Sequence, residues 1–344
     1  MSAGESLTAR MRGLLRTPAR PPLWVAIDPQ RVDRPLSGGL LDPRRDYFAV
    51  RINRLHLGYE REWFTRYVPV VFAATEFSHD GTSTVAPAMV GPGLIEQLGG
   101  ATPVGTVVAD TRVAGPHPVP PEGVAVSVVL YRVEKEQLAQ AFLDVVQSAA
   151  GALDLAAGIA PFTALAKVVV NGVTALVGGD QPVLARRDSF APVTPGHYAL
   201  VDDTGAVDPA DLHVEHGELA QRVGGGLRPY RASDYVLYSI EGVPPTAVDL
   251  ARLPLYRLWQ DVMGQATTAV SDELWNGTKA IMSTLVGLLY ASPDLTWEHA
   301  RMLEQDWTQT MVTLREAAVR RAHLADDQQR PDMARSRALA VLDL

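Results

Sequence analysis

Residues 137–178 constrain the fold of this chain more than any other stretch. The first half reads QLAQAFLDVVQSAAGALDLAAG, with polar residues at 137, 140, 144, 147 and 154 and Gly151 completing the series. Spacings that alternate between three and four draw one thin polar stripe along an otherwise apolar helix. The second half, FTALAKVVVNGVTALVG, repeats the pattern with Thr163, Lys167, Asn171 and Thr174. Pro161, preceded by Gly158, separates the two segments, so an amphipathic helical hairpin is expected over 137–179. Its apolar side carries Phe142, Val145, Val146, Leu153, Phe162, Leu165, Val169 and Leu176. At roughly 1.5–3 kcal/mol each, covering these eight side chains is worth on the order of 12–24 kcal/mol before conformational entropy is counted. Such a surface is covered by protein or by lipid.

The flanking pattern is strand. Short β-branched runs bounded by turn residues lie at Leu23–Ile27, Tyr47–Leu57, Tyr67–Phe77, Val104–Val113, Val124–Val133, Pro182–Val193, His197–Val201 and Tyr235–Ile240. Alternation is clearest where Val124, Val126, Val128 and Leu130 interleave with Ala125, Ser127, Val129 and Tyr131. This run is expected to form a hairpin with the strand before it, across a stiff, exposed loop at Gly115–Gly123 that holds four prolines. The strand spacing predicts an antiparallel β-sandwich of Ig-like or C2-like type over 21–243, with the helical hairpin inserted. After Pro244-Pro245 the period becomes helical. Tyr256, Trp259, Val262 and Met263 begin one face, and Val270, Leu274, Ile281, Leu285 and Leu289 continue it. A third helix opens with Asp294 or Thr296 as N-cap and a buried stripe of Ala300, Leu303, Trp307, Met311, Leu314 and Ala318. The reading is thus α+β. A basic N-terminal tail covers 1–20, a three-helix unit packed on the hairpin covers 244–324, and a C-terminal tail covers 325–344, beginning with ADDQQRPD as a linker.

Composition removes several function classes. The 344 residues carry a net charge of −8 and no long basic run, which argues against nucleic-acid binding. Cysteine is absent, so disulfides, thiolate nucleophiles and cysteine metal sites are excluded. The start of the chain lacks the apolar core of a signal peptide, and a cytoplasmic location is expected. The N-terminal Arg10, Arg12, Arg16 and Arg20, with Leu7, Met11, Leu14 and Leu15 at helical spacing, suit either a frayed tail or an anionic membrane surface.

Chemistry-bearing motifs are sparse. In His213-Val214-Glu215-His216-Gly217-Glu218, two histidines three apart would share a helix face and, with Glu218, offer three metal ligands. The HExxH spacing of zinc hydrolases is missing. Gly91-Pro92-Gly93 has proline where a phosphate cradle needs N–H groups, and Gly224-Gly225-Gly226 is a flexible connector or the contour of a ligand loop. Tyr59 to Tyr67 mixes charge with aromatics, as a sandwich corner or a protein-binding hot spot does. No nucleophile elbow or Walker A loop occurs. The first expectation is therefore a non-catalytic interaction or assembly protein that docks on another polypeptide or on its own copy through its helical layer, with no cofactor. The second is a latent membrane-active effector that releases 137–179 on a trigger, and the third a metal-dependent hydrolase using His213 and His216. Val146→Asp is expected to destabilise the protein by several kcal/mol, because it puts a charge in the middle of the apolar stripe. An unchanged melting curve would show that this stripe is not buried at rest.

Overall fold

The computed structural model describes residues 21–36, 39–58, 61–62, 65–91, 106–134, 182–202 and 207–342, with side chains beyond 324 and a few at strand ends left aside. Residues 137–179, and with them all eight apolar side chains named above, lie outside the described residues, as does the tail at 1–20. The chain divides at Pro244/Pro245 into two compact units.

Among the described residues, the first unit contains thirteen strands. They are β1 (Leu23–Ile27), β2 (Tyr47–His56), β3 (Arg61–Glu62), β4 (Thr65–His79), β5 (Thr82–Val90), β6 (Thr106–Pro118), β7 (Val124–Glu134), β8 (Leu184–Phe190), β9 (Gly196–Val201), β10 (Leu212–Glu215), β11 (Glu218–Val223), β12 (Gly226–Pro229) and β13 (Tyr235–Val243). All ladders are antiparallel. The first sheet has the order β1-β9-β13-β2-β6. The second runs β4-β7-β8, with β5 along the free edge of β4 and the two-residue β3 continuing that same edge. The third is the meander β10-β11-β12.

Alternation along the strands explains how the sheets are held. From the second sheet Val71, Ala73, Phe77, Val124, Val126, Val128 and Leu130 meet Phe48, Val50, Ile52, Leu200, Val236, Tyr238 and Ile240 of the first in one buried cluster. The other side of the first sheet is buried too. Val25, Ile27, Ala199, Val201, Tyr235 and Leu237 pack with Leu212, Val214, Leu219 and Tyr230 of the meander. The central strand β13 therefore has no solvent face, which is why YVLYSI reads as an unbroken apolar run rather than an alternating one.

Two strand expectations are corrected. β6 and β7 do not form a hairpin: β6 pairs with β2 in the first sheet, and β7 pairs with β4 and β8 in the second. Nor is the proline-rich connector wholly a loop. Pro118 lies opposite Tyr47 and His117 opposite Phe48, so β6 runs on through the prolines. It does so because β6 is an edge strand, where a missing N–H leaves no neighbour unpaired. The irregularity is absorbed at Gly115, whose φ of 88° and close approach to the Phe48 carbonyl leave no room for a Cβ.

The second unit holds α1 (Leu255–Ala266), α2 (Asp272–Ala291) and α3 (Trp297–Leu342). Ser271 caps α2 by accepting from the Leu274 N–H at 3.3 Å, with Asp272 and Glu273 in the first turn. Thr296 caps α3, accepting from the His299 N–H at 3.3 Å. A core of Trp259, Val262, Trp275, Met282, Leu285, Leu289, Leu303, Trp307 and Met311 joins the three helices. Trp259 and Trp307 stack with centroids 4.7 Å apart and planes 4° from parallel. The stripe expected on α3 is buried from Ala300 to Met311 and at Ala318, with Leu314 partly buried. On α2 the expected face is wrong at its start. Val270 and Leu274 are exposed, and Trp275 and Thr278 turn inward instead. The linker expected after Ala325 is also corrected, for α3 continues to Leu342.

Leu237→Ala tests the closure of the meander over the first sheet. With Leu237 fully buried, unfolding in urea should show a loss of about 2–5 kcal/mol. A loss under about 1 kcal/mol would mean that the layer is loosely packed there.

Candidate functional site

The residues expected as metal ligands are placed on a tight hairpin rather than on a helix. β10 and β11 turn through His216-Gly217, whose φ values of 53° and 70° match the left-handed pair that two-residue hairpin turns require. A glycine in second place is what makes the turn inexpensive. Leu212 and Val214 point into the apolar cluster, and His213 between them lies opposite Ala220. Its Nε2 accepts from the Arg222 guanidinium at 3.3–3.4 Å. Burial, then Arg222 and Arg31, push the His213 pKa below its usual value, so the ring is held neutral with its lone pair already engaged. His216 is exposed, its backbone N–H donating to Asp33 at 2.8 Å and its Nδ1 3.5 Å from the same carboxylate. Glu218 faces Arg54 at 3.8 Å and pairs with Arg231. The three residues thus each have a different partner, and among the described residues no group of three or more His, Asp or Glu is arranged to hold a metal ion.

The remaining sequence candidates resolve in the same way. Gly224 and Gly225 form the turn joining β11 to β12, so they contour no ligand loop. Of the aromatic cluster at 59–67, only Tyr67 has a described side chain, and it packs against the first core. Gly91 follows β5 directly, while Pro92 and Gly93 lie outside the described residues.

Three polar groupings were not legible beforehand. Between the facing sheets, Asp234 is buried, 2.7 Å from the Arg132 guanidinium and accepting from the Gly58 N–H at 2.7 Å. It fastens β7 of the second sheet to the loop entering β13 of the first. A second grouping is aromatic. Trp24 Nε1 donates to the Tyr238 hydroxyl at 3.0 Å, Tyr198 stacks between the two rings, and Arg186 lies 5.1 Å over the indole. Burial raises the Tyr198 hydroxyl to about 12 and drives Tyr238 up as well, against the lowering effect of its bond from Trp24. Neither phenol is available as a base near neutrality. Asp188 beside them is raised mainly by burial, against Arg186.

The third grouping borders an open cavity of about 280 Å³ near Glu76, Ser78, Ser83, Glu122, Arg187 and Ser189. Here Arg187 donates twice to Glu76, at 3.0 and 2.9 Å. Arg187 and Glu76 satisfy each other, and the remaining wall mixes Ser78, Ser83, Ser189 and Glu122 with Phe77, Val124 and Ala125. This arrangement can bind water or a small polar solute.

No protein-family model matches the chain, and no curated protein matches it.

Asp234→Ala should cost about 3 kcal/mol in denaturant unfolding, since it strands Arg132 and leaves the Gly58 N–H without its acceptor. Asp234→Asn should recover part of the loss. Equal stability of all three proteins would show that the clamp is dispensable.

Proposed function

We propose that this is a non-catalytic interaction or assembly protein that docks on another polypeptide, or on a second copy of itself, through its helical unit. The observation that carries the reading is the outer side of α2. Its buried seam is Trp275, Thr278, Met282, Leu285 and Leu289. One residue earlier runs a second seam at the same alternating spacing: Leu274, Gly277, Ile281, Thr284, Leu288 and Ala291, all exposed except the half-buried Ile281. Repeats of this kind are what helices present to partner helices. From Ala280 to Ala291 the sequence carries no charge, whereas a solvated helix face is ordinarily laced with charge. Gly277 and Gly287 strengthen the point. A Cβ at either position would meet nothing within 4 Å, so each weakens the helix by roughly 1 kcal/mol relative to alanine with no close contact inside this chain to justify it. Close approach of a partner helix supplies that reason. Exposed apolar side chains are also gathered here: of the ten large ones among the described residues, Val270, Leu274, Leu288, Tyr290, Trp297, Met302 and Leu324 belong to this unit.

In this reading the two facing sheets form an antiparallel sandwich of Ig-like or C2-like type. The cysteine-free composition suits a reducing compartment such as the cytoplasm. Among the described residues no helix is long and apolar enough to cross a membrane. Segment 137–179, on which a membrane-active reading depends, lies outside them.

Light scattering of the full chain over a range of concentrations tests the proposal. Wild type should form a dimer or larger species, and the pair Leu274→Asp and Leu288→Asp should shift it to monomer. Because both positions are exposed, stability should change by no more than about 0.5 kcal/mol per site. A wild type that stays monomeric, and whose solution behaviour the two substitutions leave unaltered, would remove the second seam as a self-association surface.

A further inference from the structure

Large and small side chains alternate strictly along the second seam of α2. Leu274, Ile281 and Leu288 recur every seven residues, and Gly277, Thr284 and Ala291 fall three residues after each of them. Two helices reach interior packing density only when every facing layer fills the same depth. Two copies of α2 laid parallel fail that condition. Each large residue would meet itself, and between those layers Gly277 would face Gly277 across a hollow that forfeits its contacts. Turning one copy end for end removes the conflict. With a two-fold axis between Met282 and Ser283, Leu274 faces Ala291 of the second copy, Gly277 faces Leu288 and Ile281 faces Thr284. Every layer then holds one large and one small side chain. The same three pairs recur on the other side of the axis, as a closed isologous interface requires.

Charge favours the same orientation. Both acidic residues of α2, Asp272 and Glu273, lie in its first turn. A parallel pair would set the two acidic turns side by side. The antiparallel pair keeps them about 30 Å apart, well beyond the screening length of about 8 Å. Lys279, the remaining charge, sits on the side of the helix away from the seam. Next to the seam, Ala280 and Gly287 are exposed and face each other across the same axis, and neither is long enough to hold the helices apart.

Size decides how tight such a pair is. From Leu274 to Ala291 a strip one helix wide buries on the order of 300 Å² per copy, short of the roughly 800 Å² per partner of a standard stable interface. The dimer is therefore of the weak, reversible class.

We infer that the occupant of this seam is the same seam of a second copy, packed antiparallel about a two-fold axis between Met282 and Ser283. The inference rests on the reading of the helical unit as a docking surface and narrows it to one partner in one orientation.

Because the chain has no cysteine, single thiols introduced into it report the orientation directly. In the pair, residue 274 of one copy lies about 26 Å along the axis from residue 274 of the other, and the same holds for 291. A short bismaleimide cannot span that distance. Full-length Leu274→Cys mixed with Ala291→Cys should give a dimer linked between the two positions, while neither variant links to itself. A second variant separates shape from mere hydrophobicity. Gly277→Leu adds apolar surface where a Cβ meets nothing within 4 Å, so an unspecific apolar face would associate more strongly. The two-fold register instead sets the new leucine against Leu288 and should weaken dimerisation about tenfold or more. Adding Leu288→Ala should recover most of that loss. Linking of either thiol variant to itself, a mixture that dimerises without linking, or stronger association of Gly277→Leu would each overturn the inference and leave the docking reading standing. A wild type that is monomeric at every concentration also overturns it, and confines that reading to a different polypeptide.

Discussion

The burial of the first sheet on both sides is the constraint from which the rest of the first unit follows. In a sheet with one wet face, a one-residue slip already turns the apolar set out to water; a sheet buried on both sides has no wet face to receive either set. Here a one-residue slip of β13 would exchange Val236, Tyr238 and Ile240 for Tyr235, Leu237 and Ser239. Each set is shaped for a different neighbour, the second sheet on one side and the small meander on the other. The register is therefore fixed from two directions. The bulge between Leu237 and Tyr238 is tolerated because the ladder with β9 on the opposite edge runs through it unbroken.

That arrangement also decides what the polar groups can do. Charges inside a layered β structure need partners, and those described here are largely used in joining layers. Asp234 and Arg132 bridge the two facing sheets, and Arg54 and Arg231 meet Glu218 between the first sheet and the meander. Arg51 joins Glu241 and Asp110 across neighbouring strands. A carboxylate or imidazole satisfied by a fixed partner makes a poor proton shuttle or ligand. Among the described residues, these charged side chains serve the joining of strands and layers.

How much was legible follows from what each signal encodes. Strand positions were readable because β-branched runs end at turn residues, and Thr296 was readable as a cap because a hydroxyl before a helical period has few other uses. Strand partners were not. Adjacency in sequence suggested that β6 pairs with β7, but both are apolar on faces that serve different sheets, and alternation does not say which neighbour a strand takes. β5 went unnoticed although Asp80-Gly81 is a strong hairpin signal, with φ values of 51° and 67°. The alternation of TSTVAPAMV is blurred by small residues. His213 and His216 looked helical only because a three-residue spacing was read alone. The turn at His216-Gly217 and the apolar Leu212, Val214 and Leu219 show period two, the signature of a short hairpin. On α2 two parallel seams compete for the same period, and the sequence cannot say which one faces inward until α1 and α3 supply the partner.

Two kinds of apolar surface on this chain differ in a way that bears on how it works. The faces of the first sheet are hidden by the second sheet and the meander, so what covers them contributes to the stability of the first unit and would be lost only at a cost in folding free energy. The second seam of α2 is open to water and is lined by residues that cost the isolated helix stability. On the proposed reading, an apolar surface in water with glycines where alanine would fit serves intermittent occupation rather than folding. On that reading the buried faces belong to the architecture of the β unit and the open seam to association. It follows that substitutions on the first should register in melting curves, and those on the second in association alone.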